Sequence, residues 1–379
     1  MIKVDLITGF LGSGKTTFIK KYVRYLLDKG EKIGIIENDY GAINVDMLLL
    51  NKEFGDECGM EMVVAGDPDC HRRRFKTKLI AMGMDGVNDG KYDRIVVEPS
   101  GIYDVDEFFD ILYEEPLDRF YEIGNVIAVV DAGLSDELSK ESEYLLVSQI
   151  AEAGMVVFSK VDCQSGLTES SCAATGEELS CDNETIGLNV SDVGHVISHM
   201  NRALKRFKCD RRYGLGEGGG EINYNDGKYT AKDIMVKPWD NLTADDFECI
   251  ENCGYVPEDH IKLHVAEDNG YRSLFYFHVK MSEEELKNMA AGLLSDESFG
   301  NIYRIKGFVP EKNTNHKTDE QFDTYVEINA TRKQVEINRT DKGQEVIIVI
   351  GEGLDNARIE GYIRRYSREK DITAGQSNH

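Results

Sequence analysis

Short, continuously apolar runs recur through the first half of the chain, separated by segments with helical spacing. Runs of this kind are typical of parallel strands that helices cover on both faces. The predicted strands are Val4–Ile7, Lys32–Ile36, Ile95–Val97, Val126–Val130 and Met155–Phe158. The clearest helix between them places Ile19, Val23 and Leu27 on one face and stops at Gly30. The pattern predicts an α/β domain with a mostly parallel sheet.

The pattern of strands and helices in the second half of the chain predicts a smaller α+β domain, with helices on one side of a mostly antiparallel sheet. Ser282 and Glu285 form a capping box before a helix, and Asp355 is placed to cap a final helix. The predicted strands are Leu274–Val279, Ile302–Val309, Tyr325–Ile328, Val335–Ile337 and Val346–Ile350. A glycine-rich stretch separates the halves. We therefore predict a first domain over residues 1–215, a linker over 216–228 and a second domain over 229–379.

Length and charge narrow the class of protein. A chain of 379 residues favours two domains. The 44 basic and 69 acidic residues give a net charge of −25, which repels phosphate backbones and disfavours nucleic acid as a partner. No apolar stretch approaches the ~20 residues of a membrane helix, and the first residues lack a signal-peptide pattern. We expect a cytoplasmic protein without a membrane partner, whose eight cysteines are thiols or metal ligands.

The strongest motif is a glycine-rich loop between the first predicted strand and the first predicted helix. Its spacing, G-x-x-x-x-G-K-[ST], is that of a phosphate-binding P-loop in the context that the motif requires. Its nucleotide-binding candidates are Gly9, Gly12, Ser13, Gly14, Lys15, Thr16 and Thr17. We expect Lys15 to bridge the β- and γ-phosphates and the Thr16 hydroxyl to ligate Mg²⁺.

A second loop indicates which base the nucleotide carries. Ser159, Lys160 and Asp162 follow an apolar strand and approximate the N-K-x-D guanine motif. An aspartate carboxylate can accept both the N1–H and N2–H groups of guanine, a pairing that adenine cannot offer. Because Ser159 replaces the usual asparagine, the sequence favours GTP over ATP without establishing it, and a generic loop at the end of a strand is the alternative.

Taken in order, these segments resemble the CobW-like GTPases, metallochaperone relatives of the urease and hydrogenase nickel-insertion GTPases. The resemblance is carried by the P-loop and by five later segments: Ile36–Gly41 (with Asp46 beyond it), Val97–Gly101, Val130–Ala132 and, in the second half, Tyr303–Gly307 and Val346–Gly351. It spans most of the chain and implies slow GTP hydrolysis coupled to the delivery of a metal or metal cofactor to a client protein.

The resemblance also assigns residues. Glu37–Gly41 matches the switch-like segment of the family, and Glu98–Gly101 matches its E-[CST]-[ST]-G segment, which makes Gly101 a nucleotide-binding candidate. Glu98 occupies the position of the acidic residue that binds Mg²⁺ or its water shell in the family. Asp39 is the alternative candidate for this role. Lys15, Thr16, Asp39 and Glu98 are therefore the candidate catalytic residues.

One loop departs from the family pattern. Where the family has G-C-x-C-C, this chain places Asp67 and Asp69 at the first two cysteine positions and keeps only Cys70. Together with Glu37, these residues would form a site of oxygens and one thiolate, a harder donor set than a thiolate cluster. Such a site would hold Zn²⁺ or Co²⁺ more weakly than a three-cysteine site. The alternative is that metal delivery has been lost.

Two other metal-like spacings favour structural or solvent-facing residues over metal ligands. Cys249 and Cys253 precede His260 and His264 by a gap too short for a zinc finger, and His195 and His199 share one helical face. Two further functions stay open beside the GTPase: a P-loop small-molecule kinase, and a nucleotide-dependent binding module that neither turns over nor handles metal.

Overall fold

The computed structural model describes residues 1–10, 12–38, 45–63, 68–99, 105–134, 138–161, 190–213, 233–258, 260–261, 271–311, 324–332, 335–341, 343–367 and 373–377. Within these ranges the chain forms two sheets, one of seven strands and one of six. No helix among the described residues has the length and apolar character needed to cross a bilayer.

The first sheet is parallel throughout, as the unbroken apolar runs predict. Its strands are β1 (Ile2–Thr8), β2 (Ile33–Asn38), β3 (Gly59–Val63), β4 (Arg94–Pro99), β5 (Tyr121–Asp131), β6 (Met155–Ser159) and β7 (Ile234–Met235). Their order across the sheet is β3-β2-β4-β1-β5-β6-β7, with every neighbouring pair parallel. β1 is therefore central, and the loop that follows it lies in the middle of the carboxyl edge, where ligands of open α/β sheets bind.

Helices cover both faces of this sheet. They are α1 (Lys15–Asp28), α2 (Val45–Phe54), α3 (Pro68–Asp89), α4 (Val105–Leu112), α5 (Lys140–Ile150), α6 (Val190–Arg206) and α7 (Ala244–Glu251). One core contains Leu6, Val97 and Phe158, and the other contains Phe18, Ile35 and Val157. Because both faces are packed, each strand is apolar along its whole length rather than at alternate positions.

The second sheet is antiparallel throughout. Its strands are β8 (Tyr271–Phe277), β9 (Asn301–Glu311), β10 (Thr324–Ala330), β11 (Val335–Thr340), β12 (Val346–Glu352) and β13 (Thr373–Ser377), in the order β11-β10-β9-β12-β8-β13. One face packs against α8 (Glu283–Ser295) and α9 (Asn356–Tyr366). The capping box of Ser282 with Glu285 and the Asp355 cap are both present. The predicted α+β arrangement is confirmed.

The predicted domain boundary differs from the packing. β7 pairs with β6 in the first sheet, and Phe247 of α7 stacks on Tyr25 of α1 with ring centroids 5.2 Å apart. Residues 233–258, which the sequence analysis gave to the second domain, thus pack on the first sheet. Glycine content marks a break in regular structure, but it does not show to which sheet the chain returns. The predicted linker over 216–228 lies outside the described residues.

Candidate nucleotide-binding site

The loop after β1 has the backbone that a phosphate cradle requires. Gly9, Gly12 and Gly14 all have positive φ angles, of 145°, 77° and 98°. A Cβ atom on Gly9 would lie 2.4 Å from the carbonyl oxygen of Val129, so no larger residue fits there. Gly14 is the left-handed N-cap of α1, and the loop therefore leads into a helix N-terminus, where backbone N–H groups attract anions.

Lys15 begins α1 and folds back over the loop. Its side chain is buried, and its Nζ donates a hydrogen bond to the carbonyl oxygen of Gly9 at 2.9 Å. Ser13 is also buried, and its Oγ has no hydrogen-bond partner among the described residues. An ammonium group and an unsatisfied hydroxyl on the rim of a glycine loop are suited to bind phosphate oxygens. Thr17 is exposed in the first turn of α1 and, with Ser13, lines a cavity beside the loop.

Two buried carboxylates lie beside the loop. Glu37 of β2 and Glu98 of β4 are partners in the parallel register and are 2% and 4% exposed. The hydroxyl of Thr16 donates to Oε1 of Glu98 at 2.8 Å. Hydroxyl and carboxylate oxygens are the donors that Mg²⁺ prefers when it is bound together with nucleotide phosphates, so Thr16 and Glu98 fit a magnesium site. The sequence analysis named both residues.

The loop after β6 bridges two elements of the carboxyl edge. Lys160, with a φ of 56°, donates from Nζ to the carbonyl oxygen of Gly12 at 3.0 Å and to Oδ2 of Asp131 at 2.7 Å. Its ammonium group thus fastens the P-loop to the end of β5. Ser159 is buried, and its Oγ is 3.4 Å from the carbonyl oxygen of Val130.

Several predicted site residues fall outside the described structure. They are Asp39, Asp67, Gly101 and Asp162, whose roles stay predictions. Asp69 and Cys70 lie in the first turn of α3, but their side chains are outside what the structure describes.

The other metal-like spacings do not form a cluster. Within the described ranges, no group of three or more His, Cys, Asp or Glu side chains is placed to hold a metal ion. On α6, His195 is exposed and His199 is buried. Burial raises the pKa of the Cys253 thiol to about 12, which opposes formation of a metal-binding thiolate. His264 lies outside the described residues.

Two residues that shape the site were not predicted from the sequence. Gln149 of α5 accepts a hydrogen bond from the backbone N–H of Gly9 at 2.6 Å, and its carbonyl oxygen accepts one from the Thr8 hydroxyl at 2.7 Å. Trp239, the only tryptophan in the chain, donates from its indole nitrogen to the Phe158 carbonyl oxygen at 2.9 Å. Its ring lies 3.1 Å from where a Cβ of Gly14 would be. The one sequence signal for Trp239 was a lone aromatic residue just after a short apolar run.

A central parallel strand, a glycine loop and a buried lysine and threonine at the start of the next helix define a P-loop nucleotide-binding domain. Comparison with known proteins specifies the family: residues 3–186 match the description "CobW/HypB/UreG, nucleotide-binding domain". The matched residues make up just under half of the chain, include the P-loop, and resemble the family that the sequence motifs predicted.

Individual relatives agree with this assignment. Zinc chaperone YjiA of Escherichia coli is 32% identical over 167 residues, which are 42% of this chain and 50% of that protein. Zinc chaperone YeiR of the same organism is 27% identical over 207 residues, 54% of this chain and 60% of that protein. The chain thus spans between half and three fifths of these relatives. The crystal structure of Zn(II)-bound YjiA GTPase from E. coli aligns over 97% of this chain and 99% of that one, at 16% identity and a TM-score of 0.30, too low to support an inference about function.

Proposed function

We propose that this chain is a slow GTPase that couples the state of its bound nucleotide to the insertion of a metal or metal cofactor into a client protein. One observation carries the nucleotide part of the proposal: the hydroxyl of Thr16 donates a hydrogen bond to Glu98 at 2.8 Å. Thr16 directly follows the buried Lys15. In this proposal Lys15 would bind the β- and γ-phosphates. Thr16 and Glu98 would bind Mg²⁺ or its water shell, and the ion would neutralise charge on the phosphates. Asp39 stays a candidate for the same role as Glu98.

The metal part of the proposal is supported by position. Glu37 is buried in register with Glu98, so a carboxylate that the family resemblance assigns to a transition metal is one strand away from the nucleotide's magnesium ligand. Two relatives are named zinc chaperones, which favours Zn²⁺ as the cargo. We propose that Glu37, Asp69 and Cys70, with Asp67 nearby, bind this ion. A metal held there would respond to nucleotide because Glu37 leads into the switch-like segment.

The reaction can be tested by following both products of GTP turnover with Mg²⁺ present. The proposal expects GDP and inorganic phosphate in equal amounts, at a slow rate. A phosphorylated small molecule in place of inorganic phosphate would identify a kinase instead. Nucleotide affinity without any turnover, even with a client present, would identify a binding module.

Base recognition can be tested with Asp162→Ala. If the Asp162 carboxylate pairs with guanine, this change weakens binding of GTP far more than binding of ATP. Competition of the two nucleotides for the wild type and the variant measures the difference. An equal loss for both, or no loss, would show that Asp162 does not read the base.

Coupling to metal can be tested by titrating Co²⁺ with and without a non-hydrolysable GTP analogue. We expect a thiolate–cobalt charge-transfer band, a Co²⁺ affinity that changes with the nucleotide, and weaker binding as pH falls and the thiol is protonated. By reciprocity, Co²⁺ must change GTP affinity by the same factor. Cys70→Ser should abolish the band and leave GTP binding intact, whereas Cys249→Ser, at an exposed cysteine, should leave both unchanged. Absence of the band from the wild type would contradict the metal part of the proposal.

A further inference from the structure

The second sheet approaches the P-loop with the face that its helices leave uncovered. Arg304 of β9 is the register partner of Ile350 of β12, which belongs to the apolar cluster on that face. The Cδ atom of Arg304 lies 3.9 Å from where a Cβ of Gly12 would be. Nearby, Nζ of Lys52 in α2 donates to the Thr340 hydroxyl of β11 at 2.9 Å. A side chain of the second domain therefore lies directly over the phosphate-binding loop.

A cavity of about 370 Å³ separates the two surfaces at this point. On one side it is lined by Gly12–Gly14, Ser159–Val161 and Trp239, and on the other by Arg304 and Asn329. It thus joins the P-loop, the loop after β6 and the second sheet. Its volume is within the range of pockets that hold small molecules.

The orientation and surroundings of the Arg304 side chain favour binding of an anion. Its side chain is half-buried, and its Nε donates to Oδ1 of Asn329 at 2.9 Å, which orients the guanidinium plane. This is the one polar contact that Arg304 makes with the described residues. No described carboxylate forms an ion pair with it, although Glu336, which accepts a hydrogen bond from Asn329 at 3.2 Å, lines the same cavity. Lys160 of the same cavity, in contrast, is neutralised by Asp131 at 2.7 Å. The two terminal nitrogens of an arginine held by Nε can bind a phosphate in bidentate fashion.

We propose that Arg304 contacts a phosphate of the nucleotide bound at the P-loop, so that the second sheet completes the nucleotide site. The inference rests on the proposed nucleotide binding, and it adds a residue from the second domain to that site. When nucleotide leaves, the contact between Arg304 and its anion is lost. The relation between the two domains then depends on whether the site is filled.

Calorimetric titration with GDP and GTP tests this contact. Arg304→Ala should weaken both affinities at least about tenfold, Arg304→Glu should weaken them further, and Arg304→Lys should recover part of the loss because it keeps the charge without the planar fork. The matched control is Arg339→Ala on β11, where the side chain is 62% exposed and pairs with Glu283 of α8 on the helix-covered side. It should leave both affinities unchanged.

Thermal melting distinguishes a ligand contact from a structural role. Without nucleotide, Arg304→Ala should melt at the same temperature as the wild type; with a fixed GDP concentration, its stabilisation should be smaller. Unchanged GDP affinity in Arg304→Ala, or a lower melting temperature without nucleotide that accounts for the whole loss, would overturn the inference and leave the proposed function standing. A wild type that bound no nucleotide would overturn both.

Discussion

Two groups of carboxylates lie at opposite ends of the strands of the seven-stranded sheet, and they differ in the residues that surround them. Toward the amino ends of the strands, the buried guanidinium of Arg94 binds Asp5 at 2.7 Å, Glu31 at 2.8 Å and Glu251 at 3.2 Å. At the carboxyl ends, Glu98 accepts a hydrogen bond from Thr16 and lies in register with Glu37, beside a loop whose backbone is shaped for phosphate.

The Arg94 group is a structural device. Burial raises the pKa of Asp5, against the lowering effects of the Arg94 charge and of hydrogen bonds from Tyr22 and Asn125. Glu251 belongs to α7, which follows the glycine-rich stretch, so the same arginine fastens this late helix to β1 and β4. A buried arginine that is satisfied on three sides by the chain's own carboxylates has no charge to offer a ligand.

The Glu98 group is placed where a ligand can reach it. It lies at the carboxyl edge of the sheet, next to Lys15 and the N-terminus of α1, where a nucleotide with its magnesium ion is expected. Burial of charged groups therefore does not by itself identify a functional site. What distinguishes the two groups is their position on the sheet and the kind of residue that faces them.

The comparison predicts its largest effect for Arg94→Met. Removing the guanidinium leaves Asp5 buried without its cation and leaves Glu251 with Lys29 alone. Breaking a buried ion pair in this way costs about 3–5 kcal/mol. Denaturant unfolding should show this loss. The control is Arg119→Met, whose side chain is 66% exposed and pairs with Glu115, and which should change the free energy of unfolding by less than about 1 kcal/mol. A loss no larger than that of the control would contradict a structural role for the Arg94 group.

A smaller effect, on activity rather than stability, is predicted for Glu98→Gln. The amide keeps the shape of the side chain but removes the charge that we propose binds Mg²⁺ or its water shell, so the rate of GTP hydrolysis should fall roughly 100-fold. The free energy of unfolding should change by less than about 1 kcal/mol. Glu57→Gln, at an exposed carboxylate that pairs with Arg24, should alter neither quantity. If Glu98→Gln hydrolysed GTP normally, Asp39 would become the better candidate for this role.

The smallest effect is a pH dependence at Glu251. Burial alone would raise the pKa of this carboxyl, but hydrogen bonds from Lys29 and Tyr25 and the charges of Lys29 and Arg94 outweigh it and lower the pKa below its usual value. A carboxyl whose pKa is lowered by folding stabilises the folded state at pH values above its pKa in the unfolded chain. That stabilisation is lost as the pH falls through its pKa in the folded protein. Glu251→Gln should therefore reduce stability at pH 7 by roughly 1 kcal/mol or more.

The difference between the wild type and Glu251→Gln should shrink as the pH is lowered below about 4.3, the usual pKa of a glutamate. Unfolding curves for both proteins between pH 7 and pH 3 measure it. A difference that stayed constant over this range would mean that the Glu251 charge does not stabilise the fold.

Local patterns predicted most of the fold and much of the site. Parallel strands buried on both faces are apolar throughout, and the P-loop requires fixed spacing over eight residues, so Gly9, Lys15 and Thr16 could be identified without a structure. Gln149 and Trp239 could not be identified, because each reaches the loop from a distant part of the chain. Arg304 lies in a segment that carries the family resemblance, but the sequence did not indicate that it lies beside the loop. For the same reason the predicted domain boundary differs from the packing. β7 and α7 follow the glycine-rich stretch in the sequence, and yet they pack on the first sheet.

The central claim, that nucleotide phosphates bind beside Lys15, is tested most directly by measuring GTP affinity in the wild type, Lys15→Ala and Lys20→Ala. The fluorescence of Trp239, the only tryptophan and a neighbour of Gly14, provides a signal at the site. Lys20 is the matched control, a lysine of the same helix that pairs with Glu53 at 3.4 Å. The account predicts that Lys15→Ala stays folded and loses at least about 100-fold in affinity while Lys20→Ala binds as the wild type does. Equal GTP affinity in Lys15→Ala and the wild type would contradict it.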